Sequence, residues 1–476
     1  MVFEKPSGPS YLMLKPDEAT FMDLWHLLFS PVLKNRKFIE CSPDTGPREF
    51  RQRWLLFISV VVQNILFKSG KSMKKIGDML ELWLNRLSSN GGLIGLFINK
   101  LKGKMITPEK SSETFISVVG NLDTRVDLDK SIRNDDVKYK PLLSMMASKF
   151  SYENANFVSN SVKNHWHMDF LGLYSFWNDN LKLQSTKAII VQDKNSKPNL
   201  IVVAFRGTQP FDADQWRTNI DISWYEQPDV GKIHHGFMCA LGLQNNKEWP
   251  KEIEQNGTLN RYYAYYTIRE KLKTMLHANE GAKFIVTGHS LGGALAILFA
   301  SVLILHEETW LLEKLEGVYT FGQPRVGDQK FGKYMKDKLK TYDVRYMRYV
   351  YCNDMVPRVP YDDKSLFFKH FGDSLYFNSL YQGQVLEEEP NKNYFSLFWV
   401  IPKILNSIWE IIRGFLIPLV KGKDYKDTWF MVVFRVFGLI IPGLPDHLPT
   451  DYVNVTRLGS LNKLPDLQIP QDSKAE

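Results

Sequence analysis

Ser290 sits in Gly288-His289-Ser290-Leu291-Gly292, the G-x-S-x-G spacing. A β-branched apolar run, Phe284-Ile285-Val286, leads into it, and an Ala/Leu-rich segment that predicts a helix follows at once. Strand, sharp turn and helix are the setting in which a serine hydroxyl is held out of a sheet as a nucleophile. Side chains at Gly288 or Gly292 would collide with the adjoining strand and helix. The helix N-terminus beneath Ser290 places partial positive charge where an oxyanion develops. The chemistry this predicts is acyl transfer through a serine ester.

Such a serine needs a base, and the base needs an orienting carboxylate. In the α/β-hydrolase arrangement these come in the chain order serine, acid, histidine. Asp354 directly follows a predicted strand, Val344 to Tyr351, and is the favoured acid; Asp328, after Gly317 to Phe321, is the rival. Three histidines lie downstream. His306 ends the helix after the elbow and comes too early, and His370 stands close behind Asp354. His447, in Pro445-Asp446-His447-Leu448-Pro449, occupies a late loop that can reach back across the sheet, so it is preferred. His289 reads as a packing residue. Two oxyanion donors are expected: the N–H of Leu291, and Thr208 in Phe205-Arg206-Gly207-Thr208 at the end of an earlier strand, with both an N–H and a hydroxyl to offer. The scheme requires no metal and no organic cofactor, and no ligand cluster points to one.

The elements that must position these residues follow from short β-rich runs alternating with helical ones, which predicts a mostly parallel sheet. The runs are Ala188 to Val191, Leu200 to Phe205, Lys283 to Thr287, Gly317 to Phe321 and Val344 to Tyr351, with an amphipathic helix over Arg261 to His277. At 476 residues the chain exceeds one compact domain. The expected organisation is an N-terminal helical, lipid-associating region and connector over 1–140, then an α/β-hydrolase catalytic domain over 141–476. That domain carries an apolar helical insertion at about 390–444.

Net charge is +8 and aromatics make up 13% of the residues, clustered in apolar stretches. The positive balance favours an anionic partner or surface. No finger, KH, RRM or basic-zipper pattern supports nucleic acid. Cys41, Cys239 and Cys352 are too few and scattered for a disulfide framework or a zinc site. Met1 to Thr20 lacks an apolar core, so no secretory signal is expected, and the sequons at Asn256 and Asn454 lose their meaning. Three apolar stretches stand out. Trp54 to Phe67 is flanked by basic residues and is short for a membrane span; it reads either as core or as lipid-surface contact. Tyr394 to Val420 places Lys403, Asn406, Glu410 and Arg413 at helical spacing opposite Leu397, Ile401, Ile404, Ile408, Ile411 and Phe415; it reads either as a helix lying in an interface or as a buried core helix. Trp429 to Ile441 is short and contains Arg435.

Taken together the motifs resemble the class 3 lipases. The matching pieces are Ile201 to Thr208, His234-His235-Gly236-Phe237, Gly288 to Ala296, Phe321 to Gly327 and Asn353-Asp354-Met355-Val356-Pro357-Arg358, in the family's order. The resemblance implies that Asp354 is the triad acid, that a histidine in the position of His370 is not the base, which leaves His447, and that Thr208 supplies the second oxyanion donor. The long N-terminal region, Pro210 to Trp216 and the late apolar insertion are most similar to the plant oil-body lipases of this family. That similarity implies hydrolysis of tri- and diacylglycerols at a lipid-droplet surface, on its cytosolic face, by peripheral or monotopic attachment. By the same analogy a lid spans roughly Gln209 to Trp224, with Phe211, Trp216 and Trp224 either as its apolar contacts or as ordinary core. The alternatives are a phospholipase A1 or galactolipase, and a non-catalytic lipid-droplet scaffold.

Overall fold

The computed structural model describes residues 10–30, 37–42, 49–243, 251–252, 261–360, 362, 368–392, 394 and 397–461; Asn256 lies outside them. The strands among these residues are β1 (Tyr11–Leu14), β2 (Ile39–Cys41), β3 (Asp169–Asn178), β4 (Leu183–Asp193), β5 (Leu200–Phe205), β6 (Trp224–Gln227), β7 (Gly231–His234), β8 (Lys283–His289), β9 (Leu315–Phe321), β10 (Arg345–Tyr351), β11 (Ser374–Phe377), β12 (Gln382–Leu386) and β13 (Ser460–Leu461). Nine of them form one sheet in the order β13-β12-β11-β10-β9-β8-β5-β4-β3. Its centre, β5, β8, β9, β10 and β11, is parallel throughout. β4 and β12 run antiparallel to their inner neighbours, and β3 runs antiparallel to β4.

Parallel strands covered on both faces must be apolar along their whole length. β5 obeys this: Leu-Ile-Val-Val-Ala-Phe is buried at every position. The helices Leu291–Leu305 and Ala264–His277 pack on one face, Tyr139–Phe150 and Pro449–Leu458 on the other, giving two large cores. This is the α/β-hydrolase architecture. The five predicted strand runs fall within β4, β5, β8, β9 and, save for Val344, β10.

A second sheet, β2-β1-β6-β7, joins the start of the chain to the catalytic region. Tyr11 and Leu12 of β1 pair with Tyr225 and Trp224 of β6. Trp54 to Phe67 and the basic run after it lie on a single helix, Phe50–Ser89, of 40 residues. Its apolar stretch is divided between the two readings. Leu56 and Val60 enter a core with Leu24, Leu27, Phe38 and Trp224, while Trp54, Ile58, Ile65 and Phe67 face outward.

The insertion helix Val400–Lys421 is inverted relative to an ordinary surface helix. Its polar stripe is inside: Lys403, Ser407, Glu410 and Arg413 are buried, Glu410 at 1% exposure. Its apolar face is outside, with Ile401 71% and Leu419 82% exposed. Burying Glu410 and Arg413 is tolerable because they are paired, while Lys403 donates to the Tyr394 carbonyl. Arg413 meets Glu410, and Asp451 at 2.7 Å; Arg435, from the helix Trp429–Phe437, meets Asp427 at 2.5 Å, Glu410 at 3.1 Å and Asp451 at 3.2 Å. Tyr351 donates to Glu410 at 3.1 Å and Tyr381 to Asp451 at 2.8 Å. Among the described residues, no helix is long and apolar enough to cross a membrane.

Candidate active site

β8 ends at His289, and the helix Leu291–Leu305 begins one residue after Ser290. The turn between them puts Ser290 at φ 59°, ψ −132°, a region that costs a non-glycine residue about 1–3 kcal/mol. The Ser290 N–H is tied to the Phe321 carbonyl of β9 at 2.8 Å, which helps hold the strained turn. Close approach explains the flanking glycines. A Cβ on Gly288 would lie 2.1 Å from the Gly292 backbone, and one on Gly292 would lie 2.1 Å from the Phe205 carbonyl oxygen.

His447 and Asp354, 93 residues apart in the chain, meet at this turn. His447 Nε2 is 2.8 Å from Ser290 Oγ, and its Nδ1 is 2.9 Å from Asp354 Oδ2. Asp354 is held by the loop after β10: its Oδ1 accepts from the Val356 N–H at 2.9 Å, and its Oδ2 from the Tyr452 hydroxyl at 2.5 Å. Arg358 fixes the loop backbone by donating to the carbonyls of Asp354 and Cys352. Thr208 is buried at the end of the β5 turn, where its Oγ1 accepts from Asn219 Nδ2 at 2.8 Å. Leu291 opens its helix, where the first N–H groups have no intrahelical acceptor.

The rival side chains are elsewhere. His370 points its Nε2 at the Pro357 carbonyl, 2.7 Å away, and Asp328 caps the helix Gln329–Thr341 by accepting from the Phe331 N–H at 2.8 Å. His306 meets the Tyr265 hydroxyl at 2.9 Å. Two neighbours carried no signal in the sequence, Tyr452 and Asn219; His289, read there as a packing residue, holds the His447 main chain at 2.7 Å.

The class 3 lipase family model, "Lipase (class 3)", matches residues 202–364, the stretch from β5 to just past the Asp354 loop. A protein named triacylglycerol lipase OBL1 from Arabidopsis thaliana is 40% identical over 96% of this chain and 96% of its own length. The chain belongs to the class 3 lipases. A triacylglycerol lipase OBL1 from Nicotiana tabacum is 42% identical, covering 87% of this lipase and 85% of its own chain. Among solved structures, the Rhizomucor miehei lipase propeptide complex is similar at 28% identity and TM-score 0.32, over 44% of this chain and 57% of that one.

In this class 3 lipase Ser290 is 2% exposed, so no bulk substrate reaches it in the arrangement described. The segment expected to be a lid contains the helix Ala213–Ile220, N-capped by Asp212. Gln215 and Thr218 of that helix share a small void with Leu291 and Leu295. Trp216 is half-buried and donates to the Pro210 carbonyl at 3.1 Å. Trp224 lies beyond the helix, in β6, and is core. The helix Ala213–Ile220 is held from outside by the N-terminal region. Ser59 donates to the Ile220 carbonyl at 2.9 Å, Arg217 stacks 4.8 Å from the Phe67 ring centre, and Arg217 also meets Asp17 at 2.8 Å.

Proposed function

We propose that this class 3 lipase hydrolyses the ester bonds of tri- and diacylglycerols through Ser290, His447 and Asp354. His447 Nε2 takes the hydroxyl proton as Ser290 Oγ bonds to the acyl carbonyl carbon. The oxyanion formed is received by the N–H of Leu291 and by Thr208. Collapse breaks the bond to the glycerol oxygen, which takes the proton from His447. Water, deprotonated by the same imidazole, then releases the fatty acid and restores Ser290. Asp354 keeps the His447 ring oriented and stabilises its charged form. What carries this reading is the 2.8 Å Ser290–His447 and 2.9 Å His447–Asp354 pairing, on a strained elbow.

The place of action in this reading is the cytosolic face of a lipid droplet, with peripheral or monotopic attachment. Residues 1–140 supply association and connection, and 141–476 supply catalysis together with the insertion at about 390–444. Supporting it is the apolar surface that the molecule leaves uncovered: Ile401, Leu405, Phe415 and Leu419 on the insertion helix, and Leu93, Ile94, Phe97 and Leu101 on the helix Gly92–Leu101. Soluble monomers rarely expose contiguous patches of this kind without a partner surface. Trp83 of the long helix meets Trp429 edge-on at 5.8 Å, so the N-terminal region and the insertion are neighbours.

The test is hydrolysis of emulsified trioleoylglycerol beside phosphatidylcholine by wild type, Ser290→Ala, His447→Ala and His370→Ala. Triacylglycerol cleavage lost in the Ser290 and His447 variants and kept in His370→Ala supports the reading. Preferential cleavage of phosphatidylcholine would move the protein to the phospholipase alternative, and a dead His370→Ala beside an active His447→Ala would overturn the assignment of the base.

A further inference from the structure

Behind the oxyanion turn, between the long helix Phe50–Ser89 and the base of the lid, lies a cavity of about 750 Å³. Ser290, His447, Thr208 and Leu291 do not line it, so it is separate from the acyl-transfer machinery. Its walls are of two kinds. One part is apolar: Phe67, Val118, Val119, Leu183 and Phe211. The other is cationic: Arg206 and Lys187, with Lys68, Lys71 and Lys74 on the long helix.

The two inner cations have no ion-pair partner among the described residues, although Asp212 on the same wall attracts Arg206 from beyond ion-pair distance. Arg206 is 6% exposed and spends one Nη2 hydrogen bond on the Ser185 carbonyl at 3.0 Å, and no carboxylate among the described residues comes within ion-pair distance of it or of Lys187. Lys187 is held below the ordinary lysine range by burial and then by Arg206, a like charge beside it. The acidic side chains on the same walls are already engaged. Asp78 pairs with Lys110 at 2.5 Å, Glu81 accepts from the Val118 N–H at 3.2 Å, Asp212 caps Gln215 at 3.1 Å, and Asp214 faces Arg217 at 3.8 Å. Two partly desolvated like charges with no carboxylate within ion-pair distance are an arrangement that an anion relieves.

We infer that this cavity binds a fatty-acid carboxylate, its head on Lys187 and Arg206 and its chain along Val118, Val119, Leu183 and Phe211. An anion with a hydrocarbon tail suits both halves of the wall. The choice of a carboxylate over other anionic heads rests on the proposed reaction, which releases one. The binding site itself does not depend on turnover. Pro210 to Gln215, the entry to the lid helix, line the same space, and so does Tyr152, whose hydroxyl is 2.9 Å from His289 Nδ1. A bound fatty acid therefore touches the base of the lid and the support of His447, a position from which product can regulate the enzyme.

The experiment uses the full chain carrying Ser290→Ala, so that nothing is turned over, and measures calorimetric binding of laurate below its micelle concentration. Dodecanol, dodecyl phosphate and inorganic phosphate serve as the other probes. Laurate is expected to bind one site, with dodecanol about tenfold weaker or more, the worth of one charge-assisted hydrogen bond. Lys187→Met should weaken laurate by a similar factor, and Lys187→Arg, which keeps the charge, should preserve it. Wild-type enzyme whose Ser290 carries a covalent phosphonate should bind laurate as the free enzyme does. Equal affinity for dodecanol, or unchanged binding in a folded Lys187→Met, overturns the proposal. So does competition by the phosphonate. Binding of dodecyl phosphate or inorganic phosphate without laurate would assign the cations to a phosphate head, lipid-borne or free, and sink the carboxylate assignment.

Discussion

His289 Nε2 lies 2.7 Å from the main-chain carbonyl of His447. A carbonyl only accepts, so Nε2 carries the proton and Nδ1 is left as the acceptor for the Tyr152 hydroxyl at 2.9 Å. Burial, and then His447, hold the ring well below the ordinary histidine range, so it stays neutral. The residue beside the nucleophile thus fixes the loop that delivers the base. His289→Leu removes the donor and leaves the His447 carbonyl without it, and a displaced base can cost about 10²-fold in kcat. We expect kcat to fall by that order with KM nearly unchanged, read on emulsified triacylglycerol beside a thermal melt. Tyr152→Phe leaves a buried acceptor unpaired and should lower stability by about 1–3 kcal/mol with a smaller loss of kcat. A His289→Leu enzyme with wild-type kcat would reduce His289 to packing.

In the proposed scheme Thr208 supplies the second oxyanion donor. Thr208→Val keeps the shape and removes the hydroxyl, and the loss of one such donor costs about 10²–10³ in rate. The expected result is that drop in kcat in a folded enzyme, with a stability loss of about 1–3 kcal/mol because the buried Asn219 amide loses its acceptor. A near-normal rate would leave only the Thr208 N–H in the scheme.

Asn219 belongs to the lid helix, yet it hydrogen-bonds Thr208 Oγ1 at 2.8 Å. Ser59, on the long helix, holds the far end of the same lid helix. If this helix is the lid, Ser290 is reached when it moves, and both contacts are lost in that movement. Removing them shifts the population toward the open form, because each stabilises the closed one alone. Asn219→Ala and Ser59→Ala should raise turnover of a dissolved short-chain ester several-fold relative to emulsified trioleoylglycerol, with about 1.4 kcal/mol for each tenfold shift. A fall on both substrates in Asn219→Ala would show that Asn219 serves to orient Thr208.

The elbow and the central strands were legible in the sequence because their signals are local. Phe284 to Gly292 contains strand, turn and helix start within nine residues, and apolar runs such as β5 admit few other readings. Asp354 was chosen from its place after a strand, and His447 from its late, proline-bracketed loop, since chain order alone admits His370 as well. The flanks of the sheet were not. β3 is half-buried along most of its length, and β13 has two residues, so neither stands out from loop. The insertion helix shows the limit most clearly. The spacing of Lys403, Glu410 and Arg413 separates two faces, but nothing local says which faces inward. That is decided by Asp451, Arg435 and Tyr381, which are remote in sequence. Likewise Tyr152 reaches His289 across 137 residues, a relation that no local pattern encodes.

Arg435 is the centre of the buried ionic cluster, touching Asp427, Glu410 and Asp451. Its substitution by Met leaves Asp427 without its cation and Glu410 and Asp451 sharing Arg413 alone, and breaking a buried pair in this way costs about 3–5 kcal/mol. Burial already raises the Glu410 carboxyl, so it is the group expected to take up a proton in the variant. Arg435→Met should lower the unfolding free energy measured in urea by that amount, and part of it should be recovered when Glu410→Gln is added. Additive losses in the double variant would mean the two side chains do not share one network.

The exposed face of Val400–Lys421 allows a test of attachment that leaves the fold alone. Deleting residues 50–75 would also remove Ser59 and Phe67, which hold the lid helix, so loss of binding there would be ambiguous. Leu405, Phe415 and Leu419 touch the surroundings rather than the core. Changing the three to Lys should leave the melting temperature within a degree or so, since surface substitutions are usually worth about 0.5 kcal/mol or less. Binding to triacylglycerol droplets coated with zwitterionic phospholipid should fall, each side chain withdrawn from the interface costing about 1.5–3 kcal/mol of apolar burial if it is fully immersed. Turnover of a dissolved ester should not change, which separates docking from chemistry. Full droplet binding by the triple variant would move the attachment surface to the N-terminal helices, with Leu93, Ile94 and Phe97 of the helix Gly92–Leu101 the next residues to change.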